Sequence, residues 1–165
     1  MELSVINPSL VLGPVLESDF GTSVEVVKRF LNGGFPLAPN ISFGIVDVRD
    51  VAQLHLLALE SPQASGNRFI ASSETMAIPS ISMVLREKIP EYKKKLPKGI
   101  APNFLIKLLG LFSPLMKTVA DQLGKTKELD NSKAKNILGW QPRSGEEAVV
   151  ASAKSLIEFD IVKSP

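Results

Sequence analysis

The 165-residue chain contains no cysteine. Disulfides, cysteine nucleophiles and zinc–thiolate sites are therefore excluded. No apolar run approaches the roughly 18–20 residues of a membrane span. The first residues, Met1-Glu2-Leu3-Ser4, lack the basic stretch of a secretory signal. Histidine, tryptophan and tyrosine occur once each. None of the 11 glycines falls into the G-x-G-x-x-G spacing of a dinucleotide-binding turn or into a phosphate-cradling G-x-x-x-x-G-K-[ST] pattern. An excess of charge is lacking too: 19 basic against 17 acidic residues leave +2. So small an imbalance gives no special attraction to nucleic acid or to a membrane. What remains is ordinary. A hydrophobic fraction of 44% and a charged fraction of 22% describe a globular domain, and the length fits one. A soluble, cytoplasmic protein is expected, with no nucleic-acid or membrane partner and no metal.

Strand and helix patterns alternate along the first half. Residues 3–6 (Leu-Ser-Val-Ile) read as a short buried strand stopped by a turn at Asn7-Pro8-Ser9. Residues 9–13 are apolar until Pro14, and 17–22 form a polar loop. Ser23 opens a helix over 23–32, with Val24, Val27, Phe30 and Leu31 on one face and Gly33-Gly34 after its end. Residues 42–48 form a second strand. Asp50 caps a helix to about residue 60, with an inward stripe of Val51, Leu54, Ala58 and Leu59. Residues 67–71 form a third strand, and Pro79 starts a helix over 79–88. A polar, basic connection spans 90–102, and helices follow at 103–112, 114–123, after Asn131 or Ser132, and at 145–159. The fold class is α/β: a parallel sheet of two to three strands joined by right-handed crossovers, with a mostly helical C-terminal subdomain. So few strands make a poor parallel sheet, which marks the strand inventory as incomplete.

No complete catalytic constellation emerges from the residues. A tyrosine and a lysine four apart on a helix would share a face, and the ammonium would lower the phenol pKa. Four past Tyr92 stands Leu96, and Pro90 and Pro97 deny that segment a long helix. It reads as a solvated basic loop. His55 has no second histidine and no triad partner, so it reads as a partly buried structural residue. Asp47 and Asp50 are too few for a metal site. Helix capping explains Asp50, and an ion pair or turn with Arg49 explains Asp47. Ser23, a hydroxyl at a helix start, could contact an anion, or simply cap.

Three segments together resemble the extended short-chain dehydrogenases/reductases of the NAD-dependent epimerase/dehydratase superfamily. Val5-Ile6-Asn7-Pro8-Ser9-Leu10-Val11-Leu12-Gly13-Pro14 is similar to that family's sixth strand and following loop. Val46-Asp47-Val48-Arg49-Asp50-Val51-Ala52 is similar to a later strand-to-helix segment. Asp130-Asn131-Ser132-Lys133-Ala134 through Leu138-Gly139-Trp140-Gln141-Pro142 is similar to its C-terminal segment. The dihydroflavonol-reductase-like and aldehyde-reductase-like branch matches best. The resemblance implies that residues 1–165 are the C-terminal, substrate-binding half, and that their sheet is an incomplete Rossmann-like one. The glycine-rich turn, a catalytic Ser/Thr and the Tyr-x-x-x-Lys pair would precede Met1, so this chain would supply no catalytic residue and be inactive alone. It implies cofactor contacts at Pro8, Ser9, Val11 and Ser23, with NADP or NAD bound only together with the missing half. The segment 14–22 and the surroundings of Phe35 and Met76 would border a pocket for a carbonyl substrate, while His55, Asp50 and Trp140 would be structural.

The implied function is reduction of a ketone or aldehyde by hydride transfer. One alternative is a nucleotide-sugar epimerase or dehydratase, which would want arginine-rich substrate segments. Only Arg29, Arg49, Arg68, Arg86 and Arg143 are present, scattered. Another is a non-catalytic binding or assembly module. An exposed strand edge at residues 3–6 would favour homodimerisation or pairing with another chain.

Overall fold

The computed structural model describes residues 2–165, the side chains of Leu115 and Met116 apart. Strand β1 (Val5–Pro8) pairs in parallel with β4 (Arg68–Ala71), with Val5 opposite Arg68 and Pro8 opposite Ala71. Strand β2 (Leu10–Leu12) pairs in parallel with β3 (Ser42–Asp47), and β3 pairs antiparallel with β5 (Glu74–Ala77). The α/β, Rossmann-like architecture expected from the sequence is present, as a two-stranded and a three-stranded sheet. Strands β2 and β5 were not anticipated. β1 also runs through Pro8 instead of stopping at the Asn7-Pro8 turn. It has no strand partner on its other edge among the described residues, so the missing N–H of proline costs no ladder bond there.

Helices α1 (Glu25–Leu31) and α2 (Val48–Glu60) are the crossovers of the first half. α3 (Ile78–Lys88), α4 (Asn103–Gly110), α5 (Pro114–Gln122), α6 (Ser132–Leu138) and α7 (Gly145–Glu158) make up the helical remainder. Two expected caps are corrected. The N-cap of α1 is Val24, in helical conformation and without a side-chain cap bond. The chain already turns there, with the N–H groups of Val24 and Glu25 donating to Gly21 O and Thr22 O, so Ser23 does not cap. The N-cap of α2 is Asp47, extended at φ −77° and ψ 136°, whose side chain accepts from Arg49 N. Asp50 lies inside the first turn instead.

Ile45 and Val46, adjacent on β3, are both fully buried and enter different cores. Successive strand side chains point to opposite faces, so β3 is covered on both sides, as a parallel strand in an α/β layer is. The larger core joins Ile45 to Val27 and Phe30 of α1, Ile81 and Leu85 of α3, and Val149, Ala153 and Leu156 of α7. The smaller joins Val46 to Leu54, Phe69, Leu138 and Trp140. Tyr92 belongs to the larger core, 3% exposed in a 3-10 turn at Pro90–Tyr92. The expected solvated loop is thus wrong for its tyrosine: Leu96 and Pro97 fold inward with it, and the lysines at 93 and 94 remain outside. Leu59, assigned to the inward stripe of α2, is 82% exposed, and only Leu54 of that stripe is fully buried. Among the described residues no helix is long and apolar enough to cross a membrane.

Candidate functional site

β2 ends at Leu12 and β3 at Asp47, side by side. A cleft of about 320 Å³ opens beyond their carboxyl ends, walled by Val11, Leu12 and Gly13, by the loop carrying Val15, Phe20 and Ser23, and by Val48 at the start of α2. Crevices outside the carboxyl ends of parallel strands are where open α/β sheets bind ligands. A second hollow of about 550 Å³ shares Asp19, Phe20 and Gly21 with the first and reaches Thr22, Glu25, Lys28 and Phe35.

The loop is held by α7. Gly13 N donates to Ser152 Oγ at 2.8 Å, and Ser152 Oγ donates back to Gly13 O at 2.8 Å. Val15 N donates to Ser155 Oγ at 2.9 Å, and Ser155 Oγ donates to Ser152 O at 3.1 Å. Both serines are buried. They thereby satisfy backbone groups that a loop turning away from its strand would leave orphaned. Sequence reading missed them, although the signal existed: Ser152 stands three residues after Val149 and four before Leu156, on the buried face of α7.

Beneath the turn lies Asp47. Gly13 has φ +115°, and a Cβ there would sit 2.9 Å from Asp47 Oδ1, so the position requires glycine for both conformation and space. Asp47 accepts from Arg49 N at 2.9 Å, Arg49 Nε at 2.8 Å and Arg49 Nη2 at 2.7 Å. Burial pushes its carboxyl pKa up, but the Arg49 hydrogen bonds and charge, with help from Arg143, outweigh this and hold it below the usual value. Asp50, 1% exposed, accepts from Arg143 N at 2.8 Å and pairs with the Arg143 guanidinium. Its backbone oxygen accepts from Trp140 Nε1 at 2.9 Å. Each carboxylate is thus taken up by an arginine, and among the described residues no three metal-binding side chains come together.

The four sequence-derived cofactor positions divide into two pairs. Val11 and Ser23 meet in the 320 Å³ cleft. Ser23 is partly exposed there and free of capping duty. Pro8 and Ser9 stand outside that cleft, at the joint between β1 and β2. Ser9 donates from both N and Oγ to Ala71 O, at 3.0 and 3.3 Å. Phe35 lines the larger hollow. Met76 lines neither hollow; it is buried, with its Sδ 2.6 Å from where a Cβ on Gly145 would stand. His55 is exposed on α2, its Nδ1 2.8 Å from Val51 O, and not partly buried as expected. For Tyr92, burial first, then Glu91 and Asp160, push the phenol pKa above 10, the wrong direction for a poised proton donor. Ser72 Oγ, buried where a Cβ on Gly44 would be 2.8 Å away, has no hydrogen-bond partner among the described residues.

No family model matches the chain. The NADPH-dependent methylglyoxal reductase of Saccharomyces cerevisiae is 28% identical over 165 residues, covering 96% of this chain and 44% of that protein. Cinnamoyl-CoA reductase 1 of Oryza sativa subsp. japonica is 35% identical over 130 residues, covering 72% of this chain and 38% of the rice protein. The crystal structure of yeast methylglyoxal/isovaleraldehyde reductase complexed with NADPH superposes with a TM-score of 0.72 at 27% identity, over 96% of this chain and 44% of the other. Parallel strands with a cleft at their carboxyl ends define the chain as part of a Rossmann-like reductase fold. More narrowly, it belongs to the extended short-chain dehydrogenase/reductase, or NAD-dependent epimerase/dehydratase, superfamily. It spans less than half the length of the curated relatives it matches.

Proposed function

We propose that this chain is the substrate-side, C-terminal portion of an NADPH-dependent carbonyl reductase. The observation that carries the reading is the cleft at the carboxyl ends of β2 and β3, in a chain similar over 96% of its length to an NADPH-dependent reductase. In such an enzyme the nicotinamide supplies a hydride to a carbonyl carbon. The residues present fit one end of that cofactor. Val11, Leu12 and Val15 offer apolar walls to a flat ring, and Ser23 offers a hydroxyl. They do not fit the whole. Glu17 and Asp19 put carboxylates on the same rim, Arg29 is paired to Glu25 at 3.4 Å, and the sequence has no glycine-rich turn. The diphosphate and adenosine, and the group that protonates the carbonyl oxygen, therefore require a dinucleotide-binding half outside this chain. Tyr92, the sole tyrosine, is sealed in the core.

This chain's own part is to bind and orient the carbonyl compound. Phe20 and Phe35 give the larger hollow an apolar wall suited to an aromatic or aliphatic group. The open edge of β1 is available to a strand of the other half, or to a second copy.

The test is a chimera in which residues 2–165 replace the matched segment of the yeast reductase. It is expected to oxidise NADPH with small aldehydes and ketones, while the 165-residue chain alone neither binds NADPH tightly nor turns over. A chimera that folds and binds NADPH yet reduces no aldehyde or ketone overturns the reading, as does tight NADPH binding by the isolated chain.

A further inference from the structure

The balanced net charge hides a strong local asymmetry. Between residues 93 and 127 the sequence has eight lysines, no arginine and a single acid, Asp121. That segment carries +7, so the remainder of the chain carries −5. The same segment holds α4 and α5, which pack against one another as a hairpin. Phe104, Leu108, Leu111 and Phe112 recur at i, i+4, i+7 and i+8, the spacing of one helical face. That face points outward: Phe104 is 73%, Leu108 52%, Leu111 77% and Phe112 82% exposed. Ile106, on the opposite side, is buried. Lys107, three residues after Phe104 and four before Leu111, flanks the apolar row, and Lys117 of α5 is exposed beside the hairpin turn.

We propose that the α4–α5 hairpin docks this protein onto an anionic phospholipid surface, with the apolar row in the acyl boundary and the lysines among the headgroups. The combination selects this occupant. A second copy would bring +7 against +7, and like charges oppose such an interface. Nucleic acid would use the lysines but leave four large apolar side chains in water. A bilayer surface takes up both. An amphipathic element with bulky apolar residues on one side and lysines around it binds in the interface plane, helped by anionic lipid. The proposal is independent of the reductase reading, because the face lies outside the cleft.

The test is co-sedimentation of the 165-residue chain with vesicles of 70% phosphatidylcholine and 30% phosphatidylserine, against pure phosphatidylcholine, with circular dichroism monitoring the fold. Binding is expected to the anionic vesicles and to fall steeply with salt. The pair Phe104→Ser/Phe112→Ser should weaken it at least about tenfold. The charge-reversal pair Lys107→Glu/Lys117→Glu should weaken it about 25-fold or more, at about fivefold per lysine, and serves if the first pair unfolds. Equal binding to both vesicle types, or binding unaffected by either pair, overturns the proposal. So does a dimer in sedimentation velocity that the phenylalanine pair dissolves while no vesicle is bound.

Discussion

Asp50 and Arg143 lie 93 positions apart and are joined twice, through the Arg143 backbone N–H at 2.8 Å and through its guanidinium. The carboxylate is 1% exposed, while the arginine side chain is 41% exposed. The acid therefore depends on the arginine more than the reverse. Asp50→Ala should cost about 2–3 kcal/mol, the range for lost hydrogen bonds to a charged group. Trp140 is the only tryptophan, fully buried and bonded to the Asp50 carbonyl, so its fluorescence in a urea titration reads the loss directly. An unchanged midpoint would show that the pair contributes nothing.

Ser152→Ala removes both bonds to Gly13 and leaves a buried N–H and a buried C=O unpaired. Two such groups make this one of the costlier serine substitutions, about 2–4 kcal/mol. Ser155→Ala, which frees the Val15 N–H and removes one bond to the Ser152 carbonyl within α7, should cost less. Equilibrium unfolding of the two variants side by side tests the order.

Gly13→Ala meets two obstacles at once, a φ of +115° and the Asp47 carboxylate 2.9 Å from the new Cβ. A loss of about 2–4 kcal/mol is expected. Gly66→Ala has the strain of φ +71° but nothing within 4 Å, and should cost less. Thermal melts in which the two lose stability equally would remove the role assigned to Asp47.

Acid stability should carry the signature of Asp47. Its folded-state pKa lies below the ordinary 3.8. Its contribution is thus fully present above the unfolded value and is lost as pH falls through the folded one. Asp47→Asn should lower stability at neutral pH and flatten the stability profile below about pH 4. A profile that stays parallel to the parent's through that range contradicts this account.

Ser23→Ala should leave stability within about 0.5 kcal/mol, since the residue caps nothing; a true N-cap serine would cost about 1 kcal/mol. In the chimeric reductase the same substitution should raise the KM for NADPH several-fold with kcat nearly kept. A loss of stability with no change in KM would return Ser23 to a capping role.

The sequence made the α/β class, most of the helices and the major strands visible through periodicity and turn chemistry. What it concealed depended on distance. Capping reads as the part of Asp50, and it falls to Asp47 because β3 ends there and leaves Asp50 inside the first turn, facing Arg143. Glu74-Thr75-Met76-Ala77 has no strand alternation, and it becomes β5 because β3 presents an edge to it. Tyr92 sits among charged neighbours and is drawn inward by contacts with the larger core. Val11, from a family motif, and Ser23, from its place at a helix start, could be picked out in the sequence, and both line the cleft. Ser152 and Ser155 could not, because a serine on an apolar helix face gives no local sign of the backbone it will meet.

The clamp between α7 and the cleft loop also sets an order of events. Its bonds span 139 and 140 residues, so they cannot form during synthesis until α7 has left the ribosome, long after the loop it secures. Contacts of such separation form slowly, and the segments awaiting them stay exposed. The cleft loop is made long before the helix that secures it, so the loss of a few turns of α7 would unseat a pocket more than a hundred residues upstream.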